Sequence, residues 1–584
     1  MRTIRYVAGF CLLLVVSGCE KLDRDFVTSL DREQIEKSFG NVQSLLAGVY
    51  SNVPDGTNYI GGSAMMASAT DEAEHTLETN GVQNFNTGSW NAINNPDQVW
   101  GSYYRGIRQA NQFLLSTSKI DLDQWKLDPS ASGQLVYTTN LATIRRWSYE
   151  ARFLRAYFYF ELVKRYGGVP LLNNSLSLDE DFSKIQRNTL DSCIKYIVSE
   201  CDSAAAQLPL NTSTAPYIAA SDLGRATKMS ALALKSRVLL YAASDLFNTP
   251  SWAGGYAQQE LIALPAGNRA DRWKAASDAA KAAIDAGALP ALGAYKALFN
   301  TFNNTEIIFA RGNSNGGNNN SFERNNAPIG YSNAAQSGNT PSQDLVDAYD
   351  VIQGSNAVKF NWNDSVMAAA PYANRDPRLA LTVVVNNSAF GVTPPNRTNN
   401  IVQLFNGGLD GKPIINASKT GYYLRKYQQE GINLATANTA SHSWIIFRFP
   451  ELYLNYAEAL NEWSPGNTDI KAFYDRVRSR TGVAVPALPA GLNQAEVREK
   501  IRNERRVEFA FEDHRFWDVR RWMQGVTYFN APLRGVDINR TSPTTFTYTP
   551  ITVELRVFEP RMYLYPIPQT DINLSSSLGQ NPLW

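Results

Sequence analysis

The sequence predicts a mainly α-helical protein, with a scaffold of tetratricopeptide-like helix pairs and an irregular, loop-rich face. Three observations predict this fold. Apolar residues recur every three or four positions over most of the chain, as on the buried face of a helix. Small residues such as Ala231 and Ala279 allow the paired helices to approach closely. The periodicity fades between Leu298 and Trp444. The repeat assignment rests on helix length and pairing, because no strict 34-residue period is present.

The chain begins with an export signal. Arg2 and Arg5 precede an apolar run over 7–16 that is too short to span a bilayer. The residues that follow, 16–19 (VSGC), resemble a bacterial lipobox, so we expect residues 1–18 to be removed and Cys19 to be acylated. A plain secretory signal with an incidental cysteine is the alternative. Several acyl chains anchor a protein stably. We therefore expect a lipid-anchored protein. Residues 20–23 (EKLD), which follow Cys19, resemble the surface-export signals of Bacteroidetes lipoproteins, and this resemblance implies an outer-membrane location facing the cell exterior.

The first part of the scaffold, about 31–290, consists of helices. Periodic apolar residues predict them at 31–50, 99–115, 144–166, 189–208, 223–247 and 273–286. Cys193 and Cys201 are eight residues apart on one of these helices, which separates them by about 12 Å. That distance is too long for a disulfide, so we expect two buried thiols.

Two long polar intervals interrupt the helical pattern. The first, 55–95, is rich in Gly and Asn, and the second is a loop-rich insertion over about 298–444. Asparagine supplies seven of the fourteen residues in 313–326. Loops this long are uncommon in a compact domain unless they have a function. We therefore expect this face to bind the ligand, within one domain spanning 19–584.

The scaffold resumes over about 445–525, with helices predicted at 451–463 and 470–480 and a last long helix at 501–522. This last stretch is the densest in charge and in aromatic rings, and it contains His514, so it is a candidate active site. Helical spacing would place Glu512 beside Arg515 and Asp518 beside Arg521. Arginines packed with carboxylates and rings more often form a structural network. We favour that interpretation.

Composition and motifs exclude several classes of function. The net charge is +1, which disfavours nucleic acid as a partner. The three histidines are far apart in sequence, and the chain has no HExxH pair, no G-x-S-x-G elbow and no G-x-G-x-x-G loop. We predict no catalytic residue, no metal site and no cofactor. A surface glycoside hydrolase stays an alternative, because two catalytic carboxylates need only be close in space.

Aromatic and amide side chains are the best candidates for ligand contacts. The chain has 12 Trp, 28 Tyr and 26 Phe, and flat rings suit neutral, hydroxyl-rich ligands. Rings also fill cores, which is the competing explanation. The proposed stacking platforms are Trp90, Tyr331 and Trp362, the proposed hydroxyl partners are Asn91, Asn94 and Arg324, and the weaker candidates are His75, Phe322 and Tyr372.

Several segments together resemble the SusD/RagB family of Bacteroidetes outer-membrane lipoproteins. The run at 504–522 (ERRVEFAFEDHRFWDVRRW) is similar to the family's most recognisable motif. Further matches occur in the same order along the chain: the leader, 100–114, 152–170, 421–427, 447–462 and the C-terminal 565–584. The resemblance spans essentially the whole chain.

This resemblance implies a lid on a SusC-type TonB-dependent barrel of the outer membrane. Such a lid captures a nutrient, usually an oligosaccharide and sometimes a peptide, without cleaving it. The family's ligand contacts lie in variable loops, so its motifs do not transfer to individual residues of this chain. A peptide-binding RagB-like lid and a purely structural lipoprotein are the remaining alternatives.

Overall fold

The computed structural model describes residues 38–174, 181–210, 222–301, 304–314, 321–332, 336–436 and 440–584. The predicted signal peptide and the lipidation site at Cys19 lie outside these residues. No helix in the described ranges is long and apolar enough to cross a membrane.

Long helices dominate the first half of the chain, and their caps explain where several begin. Ser130, Thr189 and Thr227 each accept a hydrogen bond from a backbone N–H in the first turn of the helix that follows. The helices are α1 Phe39–Tyr50, α2 Gln83–Asn86, α3 Trp100–Thr117, α4 Asp123–Lys126, α5 Ala131–Tyr166, α6 Leu190–Gln207, α7 Lys228–Ala243 and α8 Arg269–Ala286.

Helix α5 is longer than its predicted range of 144–166. Its first three turns are largely exposed, including Leu135 and Leu141, so they lack the buried stripe on which the prediction depended. The helices predicted at 99–115, 189–208, 223–247 and 273–286 agree within five residues at each end, whereas residues 31–37 of the helix predicted at 31–50 lie outside the described residues. Cys193 and Cys201 are buried free thiols, which confirms their prediction.

The second half mixes short helices, hairpins and four further scaffold helices. Its helices are α9 Ser321–Asn326, α10 Gln343–Ala348, α11 Ser365–Ala369, α12 Arg378–Thr382, α13 Phe449–Trp463, α14 Thr468–Arg478, α15 Gln494–Glu508, α16 His514–Arg521, α17 Gly525–Tyr528 and α18 Gln569–Leu574. The strands of the described chain are β1 Ala73–His75, β2 Ile307–Ser314, β3 Asn339–Pro341, β4 Val351–Gln353, β5 Asn356–Val358, β6 Val383–Val384, β7 Tyr423–Leu424, β8 Ser441–Arg448, β9 Leu533–Ser542 and β10 Thr545–Glu554. They form antiparallel pairs: β1 with β3, β2 with β8, β4 with β5, β6 with β7 and β9 with β10.

The scaffold helices stack in chain order and continue across the insertion. Helices α3, α5, α6, α7 and α8 each pack against the next, and α13 then packs against α8 before contacting α14 and α15. One hydrophobic cluster includes residues from α1 to the C-terminal segment. The mainly helical fold is confirmed. The tetratricopeptide-like repeat and the single-domain division stay predictions.

The predicted helix at 501–522 is wrong in one respect, because it is two helices. Helix α15 ends at Glu508 and α16 begins at His514, and between them Phe511 and Asp513 have positive φ values of 62° and 61°. L-residues rarely adopt that conformation, so a helix cannot continue through it. The break redirects Glu512 towards Arg448 instead of Arg515.

Candidate functional site

The arginine-rich segment that follows Gln494 forms a buried ion network. Glu508 accepts hydrogen bonds from Arg378 at 2.8 Å, from Arg448 at 2.6 Å and from Arg480 at 2.8 Å. Burial favours the neutral acid, but these guanidinium groups outweigh it and hold the pKa of Glu508 well below its usual range. Every partner belongs to a different segment, so the carboxylate ties the insertion to the scaffold.

His514 belongs to this packed region. Its ring stacks on Phe509 with the centroids 4.3 Å apart. Burial, followed by repulsion from nearby cations such as Arg237 and Arg505, lowers the pKa of His514 well below its ordinary value. The imidazole is therefore neutral at physiological pH, which suits packing. The pair Asp518 and Arg521 has the expected spacing and bonds at 2.8 Å.

Trp90 does not have the exposed ring face that a stacking platform needs. Its side chain is 1% exposed and packs edge-on against Phe85, Tyr565 and Trp584, with ring centroids 4.7 to 5.1 Å apart. Its large apolar surface is more stable when packed in this cluster than when exposed to water. The structure therefore assigns Trp90 to the core instead of the proposed sugar platform.

Tyr331 and Phe322 are also buried, and both hold loops in place. The Tyr331 ring lies under the guanidinium of Arg397, 4.6 Å from its centroid, and Arg397 makes two hydrogen bonds to Asp410 of 2.6 and 2.8 Å. Phe322 packs edge-on against His442. Neither ring offers a free face, which corrects their nomination as ligand contacts.

His75 lies on strand β1 and is completely buried. Its Nδ1 accepts a hydrogen bond from the Leu77 backbone N–H at 3.3 Å, and burial lowers the pKa of its ring to about 4. A neutral, inaccessible imidazole fits a structural position, so His75 is not placed where it could contact a ligand.

The nominated polar residues lie on separate parts of the surface. Asn91 and Asn94 are exposed in a turn, where Asn91 Oδ1 accepts hydrogen bonds from the backbone N–H groups of Ile93 and Asn94. That turn contacts the C-terminal segment through a hydrogen bond from Gln569 to the Ala92 carbonyl. Arg324 is half-buried on α9. Their roles stay predictions.

Trp362 and Tyr372 are the nominated aromatic residues that keep part of their surface exposed. Trp362 donates from Nε1 to Asp347 Oδ1 at 3.2 Å and packs edge-on against Phe360. Tyr372 packs edge-on against Tyr548, 5.4 Å between centroids. Through Asp347 and Phe360, Trp362 adjoins a surface cleft.

The cleft has a volume of about 380 Å³ and lies between helices α10 and α15 and the start of β9. Its size falls in the range of small-ligand sites. The lining combines rings with hydrogen-bonding side chains: Asp71, Asp344, Asp347, Lys359, Phe360, Glu499, Arg502, Asn503, Arg506, Arg515, Trp522, Gln524, Tyr528, Arg534 and Arg556.

Ion pairs fix two walls of the cleft. Arg534 bonds Asp344 Oδ1 at 2.7 Å and Asp347 Oδ2 at 2.8 Å, which sets the position of the acceptor for Trp362. On the other wall Arg515 makes two hydrogen bonds of 2.8 Å to Asp71. Burial would raise the pKa of Asp71, but Arg506 and Arg515 outweigh it and lower the pKa to about 2.

Family models identify both halves of this architecture. Residues 305–584 match the model described as the SusD family, and residues 25–240 match the model described as "Starch-binding associating with outer membrane". The chain belongs to the SusD/RagB family. The resemblance in its motifs is therefore confirmed.

Known structures and sequences agree with this assignment. A SusD-like protein from Bacteroides fragilis is 26% identical, with a TM-score of 0.74 over 95% of this chain and 99% of that one. A SusD-like carbohydrate binding protein from the same species is 24% identical, with a TM-score of 0.70 over 93% of this chain and 99% of that one. SusD-like protein P2 from Formosa agariphila is 22% identical over 91% of this chain and 93% of its own length.

Most residues that line the cleft of this SusD/RagB protein could not be predicted from the sequence, because the walls come from distant segments. Asp71 and Arg515 are 444 positions apart. One signal was available: Glu499, Arg502, Asn503 and Arg506 recur at the spacing of one helical face, and all are polar. A polar stripe on a helix within a packed scaffold indicates a surface that is not covered by another helix.

Proposed function

We propose that this SusD/RagB protein captures a saccharide at the cell surface and delivers it to a SusC-type TonB-dependent barrel. The single observation that carries the proposal is the cleft beside Trp362, where partly exposed rings adjoin fixed hydrogen-bonding groups. Apolar sugar faces stack on rings, and sugar hydroxyls both donate and accept hydrogen bonds. The description of the model matched by residues 25–240 supports a saccharide ligand and an outer-membrane location.

The proposed role is binding without catalysis. A glycoside hydrolase needs one carboxyl group as an acid and a second as a base or nucleophile across the scissile bond. In the cleft Asp344 and Asp347 are both bonded to Arg534, and Asp71 is bonded to Arg515. These three carboxylates are occupied in holding the walls, and Glu499, the fourth in the lining, does not by itself supply the required pair, which supports a binding site.

The lipid anchor completes the proposal. Acylation at Cys19 would keep the protein at the outer membrane beside its transporter, as in the family that it resembles. Co-purification with a barrel from detergent-solubilised outer membranes tests this partner. If the protein is recovered in detectable amounts without any barrel, delivery to a transporter is contradicted. Saccharide binding would still stand.

Calorimetric titration with a panel of oligosaccharides and peptides tests ligand capture. We expect saccharide binding, and we expect Trp362→Ala to weaken it because the ring beside the cleft is lost. Trp463→Ala is the matched control, since Trp463 is 38% exposed on α13 and does not line the cleft. Binding of peptides alone would replace the saccharide proposal with the RagB-like alternative.

A further inference from the structure

The cleft has more positive than negative charge, although the chain as a whole is nearly neutral. Its lining contains six basic and four acidic side chains, while the net charge of the protein is +1. The excess is therefore local. The wall formed by α15 carries much of it, because Arg502 and Arg506 are four residues apart and share one helical face.

Arg502 is weakly neutralised. The carboxylate paired with it belongs to Glu499, at 3.4 Å, and the Glu499 side chain is 54% exposed. A pair of this length with one exposed partner contributes little. The guanidinium lies 4.8 Å from the centroid of the Trp522 ring, which limits its motion without consuming its hydrogen-bond donors.

Two further arginines share a single carboxylate. Arg506 and Arg515 both contact Asp71, at 2.8 Å each. The neighbouring Glu72 does not supply a second negative charge at neutral pH, because burial and the charge of Asp71 raise its pKa to about 8. This side of the cleft therefore keeps an excess positive charge.

Lys359 adds a cation at the rim. It is exposed, directly precedes Phe360, and is absent from the ion pairs of the described chain. On the opposite wall, Asp344 Oδ1 and Asp347 Oδ2 each accept a hydrogen bond from the Arg534 guanidinium, which partly neutralises these two carboxylates.

We infer that the cleft selects a saccharide that carries a carboxylate or sulfate group, which Arg502 and Lys359 bind while a ring at the rim contacts the sugar. This inference rests on the proposed saccharide-binding function. The planar guanidinium matches the two oxygens of either anion, and the flexible ammonium adds a point charge. Partial burial of the cleft reduces solvent screening and strengthens both contacts.

Calorimetry with three probes of equal length tests the inference: an oligogalacturonate, a sulfated galactan oligosaccharide and a neutral galactan oligosaccharide. We expect at least one acidic probe to bind roughly tenfold more tightly than the neutral probe, the effect of about one charge-assisted hydrogen bond. The advantage should shrink as salt rises from about 0.05 to 0.3 M. The acidic probe that binds better identifies the anion.

Lys359→Gln and Arg502→Gln should each lower the affinity for the acidic probe by about tenfold, and should lower the affinity for the neutral probe by less. The matched control is Lys195→Gln, which removes an exposed lysine of α6 that does not line the cleft. Thermal unfolding of each variant verifies the fold. Lys359→Gln should disturb the fold less than Arg502→Gln, because the Lys359 side chain is exposed.

The outcomes separate this inference from the function on which it rests. Equal affinity for neutral and acidic probes would overturn charge selection and leave saccharide capture standing. Acidic binding that neither substitution weakens would overturn the role of these two residues. If all three probes fail while neutral glucans bind, charge selection is also wrong. No binding to any saccharide would overturn both proposals.

Discussion

Comparison of Trp90→Ala with Trp362→Ala tests whether the two tryptophans have the roles that the structure assigns. Trp90 is 1% exposed and contacts three other rings, so its removal leaves a cavity in the core. Replacing a buried tryptophan by alanine costs about 3–5 kcal/mol. We expect Trp90→Ala to lower the Tm by several degrees.

Trp362→Ala should behave differently. The ring is half-buried and has one hydrogen bond of 3.2 Å, to Asp347. Losing that bond and part of the packing costs about 1–2 kcal/mol. We expect a small fall in Tm together with clearly weaker saccharide binding.

Differential scanning calorimetry and saccharide titration on both variants give the answer. The assignment fails if Trp90→Ala keeps the wild-type Tm and loses affinity, because the ring would then be part of the binding surface. Equal affinity of Trp362→Ala and wild type would remove Trp362 from the site.

Three further predictions concern buried groups. Glu508→Ala leaves three buried arginines without their shared carboxylate and should cost more than about 3 kcal/mol, measured by thermal unfolding; a wild-type Tm would contradict the network. Glu72 should make the folded state less stable as pH rises from about 4.5 to 8, because the unfolded carboxyl ionises while the folded one keeps its proton. Glu72→Gln should therefore raise the Tm at pH 8 more than at pH 5, and a parallel pH profile would refute this. His514→Ala removes the stack on Phe509, so it should reduce stability, measured as Tm, more than it reduces saccharide binding. A loss of binding with an unchanged Tm would return His514 to the site.

The long helices could be predicted because their apolar period is a local property of the sequence. The exceptions have local and tertiary causes. The start of α5 lacks a buried face, so no period marks it. The break after Glu508 depends on the positive φ of Phe511 and Asp513, which is stabilised by contacts with distant segments such as that of Arg448. The apolar spacing of residues 501–522 does not reveal these tertiary contacts.

The site was less predictable than the fold, since composition identifies rings but not their exposure. Trp90 and Trp362 both lie in polar loops of the sequence, yet one is in the core and the other beside a cleft. The difference arises from which rings the tertiary fold brings to each loop. Tyr565 and Trp584, which cover Trp90, come from the far end of the chain.

Helix α15 combines the two roles that the sequence suggested for the arginine-rich stretch, a structural ion network and a functional site. One face, with Ile501, Glu504 and Glu508, is buried, and its carboxylates bind the arginines that join insertion and scaffold. The other face, with Arg502 and Arg506, lines the cleft. Because the buried face is fixed by several charge-assisted hydrogen bonds, the cations on the opposite face are held on a rigid element and lose little freedom when a ligand binds. The arginine-rich motif can therefore be a structural clamp and still position a binding surface.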